Sequence, residues 1–309
     1  NSTVDIDGRL FTYTFAGITG GNSDSLYYTL YYITQDGYRY RQKLTGLDPY
    51  QYGLYSNSLG FLDNGQPLYK DIRGNEIPVT TLPIGVTSQI PQYPIFFSDV
   101  STVSNQTSIS LVLNALSIPL TPPSPTVTNV DFFGNIAGAT STVGAGGIFA
   151  FDTTDTITYQ IVISRGVDFE PDNTANRTLT GIAATGSHTV VWDGKDNSGA
   201  NFPAGGPYSY KVSGRNGEVH FPIIDAENNV YGGPIVTRLN GTGAPNSTVY
   251  YDDRGYVTRS GNLIGTLNSY LCGSASPPQP VPAFDLGGID STTTYRTWGV
   301  SSGTSNTNH

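Results

Sequence analysis

The sequence predicts an all-β protein of tandem β-sandwich domains joined by a proline-rich linker. Only 13% of the 309 residues are charged, whereas glycine (37), proline (20) and tyrosine (21) are abundant. This composition suits short strands and tight turns and is poor in the residues that form long helices. Runs of alternating or β-branched residues recur along the chain, as expected for strands. Four prolines within residues 119–125 predict a stiff connection between domains.

The first region, residues 1–118, is predicted to be a tyrosine-rich β domain. Residues 26–33 read Leu-Tyr-Tyr-Thr-Leu-Tyr-Tyr-Ile, a typical strand pattern. The dipeptide Asp36-Gly37 favours a tight turn, so residues 38–44 should return as the hairpin partner of that strand. Frequent prolines predict that residues 63–96 are irregular with short edge strands.

The second region, residues 126–219, is predicted to be an immunoglobulin-like sandwich. It holds strand candidates at 126–132, 147–151 and 156–163, and a hairpin follows. This number of short strands within about 95 residues is what such a sandwich requires. Residues 220–309 are predicted either to finish the sandwich or to form a third small β unit with a polar tail.

The hairpin in residues 189–212 carries the most informative motif of the chain. Its first strand should end at an aromatic residue that fills the core, and small polar and glycine residues should then reverse the chain. A tyrosine-rich strand with period two should follow. The motif residues are Trp192, Asp193, Gly194, Asp196, Asn197, Gly199, Pro203, Gly205 and Tyr208.

This order and spacing resembles the FlgD-type immunoglobulin-like domain, with its Trp-Asp-Gly, a turn containing Asn and Gly, then Pro-x-Gly and a tyrosine-rich strand. The sequence departs from that pattern at 205–207, where Gly-Gly-Pro replaces a single glycine. Residues 217–222 and 225–229, with 61–63 and 67–69 upstream, resemble the leading region of very large bacterial repeat-containing surface proteins. The resemblance implies an extracellular, structural role without a defined chemistry.

Charge and cysteine content narrow the function classes. The formal net charge is −9 and there is no basic stripe, which argues against a nucleic-acid partner. The single Cys272 excludes an internal disulfide framework and a multi-cysteine zinc site. No apolar run is long enough to predict a membrane span. The chain starts at Asn1 without an initiator methionine or a signal pattern, so we expect an exported protein or a segment cut from a larger one.

Two clusters of oxygen-bearing side chains are candidates for calcium. Asp225, Glu227 and Asn228 form the denser one, and Asp193, Asp196 and Asn197 form the other. The alternative for both is that the side chains hold turns, and this alternative is favoured at 193–197 because an EF-hand pattern is absent. No other cofactor is predicted.

The sequence gives little support for catalysis. His220 lies five residues before Asp225, and such a pair could act as a base and its orienting carboxylate. On an alternating strand, however, the two residues would face opposite sides unless a turn intervenes. Nucleophile-elbow, zinc-protease and phosphate-loop motifs are absent. We therefore predict a protein that is not an enzyme.

Exposed tyrosines and glycosylation sequons are the remaining candidate sites. Planar rings with a polar tip suit a sugar or a protein interface, although alternation should turn about half of them inward. The candidate interface tyrosines are Tyr27, Tyr28, Tyr31, Tyr32, Tyr38 and Tyr40. The internal candidate glycosylation residues are Asn105, Asn176, Asn240 and Asn246.

Two functions are consistent with these features. The first is a structural module of a bacterial surface protein or filament, whose partners are neighbouring copies or domains and whose sheet edges or termini could add a strand to a neighbour. The second is a carbohydrate-binding or adhesive module that presents tyrosines to glycans, with or without calcium.

Overall fold

The structure is a computed structural model. It describes residues 9–18, 26–47, 51–68, 85–102, 106–134, 146–202, 207–224, 233–252, 254–264 and 284–296. Contacts divide the chain into two compact units: unit 1 is formed by Asn1–Pro122 together with Val219–His309, and unit 2 by Pro123–Glu218. Each unit is described separately below.

Strands dominate the described residues, as predicted. In chain order the elements are β1 (Phe11–Thr12), β2 (Thr14–Ile18), β3 (Leu26–Ile33), β4 (Arg39–Leu47), β5 (Gln51–Tyr55), β6 (Phe61–Asp63), β7 (Gln66–Pro67), β8 (Val86–Ser88), β9 (Ile95–Phe96), α1 (Gln106–Ala115), β10 (Val127–Gly134), β11 (Gly147–Thr153), β12 (Ile157–Ser164), β13 (Arg177–Ala183), β14 (Gly186–Trp192), β15 (Ser209–Arg215), β16 (Ile223–Ile224), β17 (Ile235–Arg238), β18 (Thr248–Asp252), β19 (Tyr256–Val257), β20 (Leu263–Ile264) and β21 (Phe284–Asp290).

Unit 2 is a β-sandwich of two antiparallel three-stranded sheets. One sheet has the order β10-β11-β14 and the other β13-β12-β15. Alternation decides which side chains enter the space between them, so Phe149 and Phe151 on β11 are buried. The buried core consists of Phe149, Phe151, Ile157, Ile161, Ile163, Ala183, Trp192 and Phe202. The predicted core position of Trp192 is confirmed.

The two ends of unit 2 lie side by side within it. The Asn216 side-chain amide donates to the Pro123 carbonyl over 3.3 Å. A Cβ added at Gly214, near the end of β15, would lie 2.9 Å from the Val127 side chain at the start of β10. One continuous chain segment therefore supplies every strand of this sandwich and closes on itself.

Unit 1 is built on a five-stranded sheet with the order β1-β9-β3-β4-β17. The hairpin predicted around Asp36-Gly37 is confirmed, because β3 and β4 pair with Tyr32 opposite Tyr40. Side chains on one face of this sheet, including Leu30 and Tyr32, pack with Leu54 of β5. The other face packs through Ile33 and Phe96 against α1. Both faces of the C-terminal half of β3 are therefore covered.

Residues 219–309 join the first region rather than the sandwich. β16 pairs with β5, and β17 pairs with β4. This grouping differs from the two arrangements predicted for the region, which were completion of the sandwich or a third small β unit. Local patterns locate strands, but strand partners almost 200 residues apart in sequence leave no local signal.

The proline-rich segment is also divided between the units. Pro119 and Pro122 belong to unit 1, and Pro123 begins unit 2. The sequence predicts a stiff connection between domains here, and its first residues pack against the β3–β4 turn. The predicted irregular stretch 63–96 contains only short strands where it is described, in agreement with its proline content.

Candidate functional site

The tryptophan motif builds a closed turn at the end of β14. Trp192 is 2% exposed, and its Nε1–H donates to the Lys195 carbonyl over 2.9 Å. Its ring meets Phe202 edge to face at 5.0 Å between centroids. The Phe202 N–H donates to the Gly194 carbonyl over 2.9 Å, which closes the loop. Gly194 has φ of +77°, a conformation that favours glycine.

Asp196 is the centre of this turn. Its Oδ1 accepts hydrogen bonds from the Ser198 N–H at 3.0 Å, the Ser198 hydroxyl at 2.6 Å and the Ala200 N–H at 2.9 Å. Its Oδ2 lies 3.3 Å from the Arg165 guanidinium. Burial alone would raise the pKa of Asp196, but these hydrogen bonds and the charge of Arg165 together hold its pKa below the ordinary aspartate value.

Asn197 joins this turn to the loop between β12 and β13. Its Oδ1 accepts from the Thr178 N–H at 2.9 Å, and its Nδ2 donates to the carbonyls of Pro171 and Asn173 at 3.0 and 2.9 Å. Sequence reasoning missed the role of that second loop. Its run of turn residues, Asp-Phe-Glu-Pro-Asp-Asn-Thr-Ala-Asn at 168–176, was the available signal.

Asn176 locks the second loop from inside. It is 3% exposed, and its Nδ2 donates to the carbonyls of Asp168 and Glu170, both at 3.0 Å. The side-chain amide of this predicted glycan acceptor is therefore used in hydrogen bonds within the fold. A sequon is a local pattern and carries no information about burial.

The remaining sequons differ in how their side chains are used. The Asn240 side chain accepts from the Arg39 N–H at 2.8 Å and donates to the Gly37 carbonyl at 3.0 Å, so it too is used within the fold. Asn246 is exposed, and its side-chain oxygen accepts from the Thr248 N–H at 2.9 Å. Asn105 lies outside the described residues. Among the described sequons, Asn246 is the one presented to solvent.

The candidate metal ligands Asp225, Glu227 and Asn228 lie outside the described residues, as do Pro203 and Gly205 of the motif. Calcium at 225–228 stays a prediction. Within the described ranges, no group of three or more His, Cys, Asp or Glu side chains is arranged to hold a metal ion. The carboxylate of Asp196 is instead surrounded by donors from its own turn, which is the alternative reading of the 193–197 cluster.

His220 has a structural position. Its backbone forms a bridge with Asn57 through hydrogen bonds of 2.9 and 3.1 Å. A Cβ added at Gly60 would lie 2.9 Å from His220 Nδ1, so the imidazole packs directly on that glycine. Asp225, its proposed catalytic partner, lies outside the described residues.

Five of the six predicted interface tyrosines are buried or half-buried. Tyr32 and Tyr38 are 0% and 4% exposed, and the Tyr32 hydroxyl donates to Gln42 Oε1 over 2.9 Å. Tyr28 and Tyr40 pack against the Leu30 core, and Tyr31 packs against the Ile33 core. Of the six candidates only Tyr27, at 63%, is exposed. Alternation sends neighbours to opposite faces, but here both faces are covered by other elements.

The geometry of unit 2 defines a class: an immunoglobulin-like β-sandwich whose polar turn residues bond to one another and to backbone. No helix in the described ranges has the length and apolar character needed to span a bilayer.

Comparison with family models agrees with this class, because residues 172–218 match the model of the FlgD Ig-like domain. The matched segment runs from the Asn176 loop through the tryptophan motif to three residues beyond β15. The resemblance predicted from the motif is thus confirmed for this segment, and the matched family is a non-catalytic structural one. Comparisons with curated proteins and with solved structures gave no match.

Proposed function

We propose that the chain is a non-enzymatic extracellular structural module of a bacterial surface protein or filament. One observation carries the proposal: the conspicuous polar residues of the FlgD-like segment hold the sandwich together. Asp196, Asn197 and Asn176 each make several hydrogen bonds within unit 2. Such an arrangement favours a rigid β module over a reaction centre, since catalytic groups need donors or acceptors that can still bind a substrate.

Contacts with neighbouring copies or domains require a surface, and the outer face of the β10-β11-β14 sheet offers one. Phe133, Ile148 and Val191 lie side by side on adjacent strands. Phe133 is 52% exposed and Val191 is 68% exposed. The outer face of the other sheet presents Thr180, Gln160 and Ser213 in register instead. An apolar row on one face and a polar row on the other favour association through the first face.

Electron microscopy combined with light scattering on the purified protein tests this function. We expect ordered assemblies or a mass that rises with protein concentration. Val191→Asp should weaken association, whereas Thr180→Asp, a matched charge on the polar face, should leave it unchanged. Compact monomers at every concentration would contradict the proposal.

A carbohydrate-binding or adhesive role is the second candidate. It draws support from the exposed rings of unit 1, since Tyr13, Tyr27 and Phe97 are 38%, 63% and 42% exposed. Binding on a glycan array that is lost in Tyr27→Ala would favour this role. An array without hits would remove it.

A further inference from the structure

Three distant parts of the chain meet beside the β3–β4 turn of unit 1. They are the turn itself with Arg39, the first residues of the proline-rich segment at 119–122, and the loop at 239–241 that follows β17. We propose that residues 119–122 are a strap fastened to unit 1 by Arg39, whose backbone is in turn held in place by Asn240. The fold of unit 1 is then complete only when segments that precede and follow unit 2 in sequence have come together.

Arg39 fastens two segments at once. It is 7% exposed, and its guanidinium donates to the Val100 carbonyl over 3.0 Å and to the Leu120 carbonyl over 3.5 Å. Its Nε has no hydrogen-bond partner among the described residues. The planar fork of arginine can reach two acceptors in different directions, which a lysine ammonium does less well.

Asn240, which follows unit 2 in sequence, holds the β3–β4 turn in place. Its side chain accepts from the Arg39 N–H at 2.8 Å and donates to the Gly37 carbonyl at 3.0 Å. The neighbouring Leu239 N–H donates to the Arg39 carbonyl over 2.7 Å. These bonds hold the β3–β4 turn against a loop about 200 positions later in sequence.

Two glycines let the strap lie directly on this junction. A Cβ added at Gly37, where φ is +90°, would be 2.3 Å from the Pro119 oxygen. A Cβ at Gly241 would be 2.6 Å from the Tyr38 ring and 3.4 Å from Pro122. Any larger residue at either position would push neighbouring atoms away. The close packing of both prolines shows that the strap belongs to unit 1.

An order of folding follows from this arrangement. Unit 2 contains all its strands in one segment, whereas the junction of unit 1 needs Asn240, which lies beyond unit 2 in sequence. During synthesis from the N-terminus, unit 2 can fold as soon as its own segment is complete, and unit 1 can close only later.

Limited digestion of the full-length protein with chymotrypsin tests the strap. Leu120 is 42% exposed, so cleavage after it requires release of the backbone rather than exposure of the side chain. We expect Arg39→Met to raise the cleavage rate between Leu120 and Thr121 by about tenfold, the factor for one lost hydrogen bond to a charged group. Arg41→Met, an exposed arginine on the same strand, should leave the rate within about twofold of wild type.

A second variant keeps the test decisive. Arg39→Lys retains the charge but loses the planar guanidinium fork. Chymotrypsin should therefore cleave this variant after Leu120 faster than it cleaves wild type, and this test remains available even if Arg39→Met fails to fold. Asn240→Asp should act in the same direction, because a carboxylate cannot donate to the Gly37 carbonyl. Wild-type cleavage rates in both Arg39→Lys and Asn240→Asp would overturn the proposal.

Discussion

Replacing Trp192 with alanine is expected to destabilise unit 2 strongly. The indole is 2% exposed, packs edge to face on Phe202 and donates a hydrogen bond to the Lys195 carbonyl. Truncating a buried aromatic of this size costs about 3–5 kcal/mol. Since a whole domain is stable by only about 5–15 kcal/mol, much of the stability of unit 2 should disappear. Differential scanning calorimetry of the full chain should show that the transition of unit 2 is lost or moves to a much lower temperature.

Val191→Ala is the matched control for this prediction. Val191 precedes Trp192 on the same strand but is 68% exposed on the outer face of the sheet. Its truncation should change the unfolding free energy by no more than about 0.5 kcal/mol. Equal effects of the two substitutions would show that Trp192 does not fill the core.

Replacing Asp196 with alanine should have the next largest effect. Three hydrogen bonds from Ser198 and Ala200 would lose their acceptor, and Arg165 would lose its carboxylate partner. Leaving buried donors unpaired costs about 1–3 kcal/mol per group, so we expect unit 2 to lose about 2–4 kcal/mol, given partial rehydration. Chemical denaturation of wild type and variant measures this difference. Asp193→Ala, whose side chain is 50% exposed, should cost about 1 kcal/mol or less.

The Asp196 carboxylate also makes the stability of unit 2 depend on pH. Because the pKa of Asp196 is lower in the folded state than in the unfolded chain, its ionised form adds stability above the ordinary aspartate pKa of about 3.9. That stability is lost as pH falls through the lower folded pKa. Asp196→Asn should therefore weaken the acid dependence below about pH 4. An unchanged pH profile in this variant would contradict the pairing of Asp196 in the fold.

Some of this architecture could be predicted from local residue order. A β-branched run ending in Trp192, followed by Asp, Asn and Gly, predicts a strand and a turn because each residue acts on its immediate neighbours. The turn around Asp36-Gly37 was predictable for the same reason. In both places the interactions that decide the structure span only a few residues.

Other features depend on what covers a surface, which local patterns do not encode. The alternation in β3 was read correctly, yet the tyrosine patch was not found because α1 and the strands near Leu54 cover the two faces of its sheet. The pairing of β17 with β4 joins residues far apart in sequence. The burial of the Asn176 amide likewise depends on how the two loops pack together, which the local sequence does not encode.

The most direct test of the account is the behaviour of residues 123–218 as an isolated fragment. The chain has two tryptophans, and Trp192 is the one within this range, so its fluorescence reports on the core of unit 2 alone. We expect one cooperative unfolding transition, with the emission of a buried indole in the folded state. A fragment with the emission of a solvent-exposed indole and no cooperative transition would contradict the claim that this segment is a self-contained immunoglobulin-like sandwich.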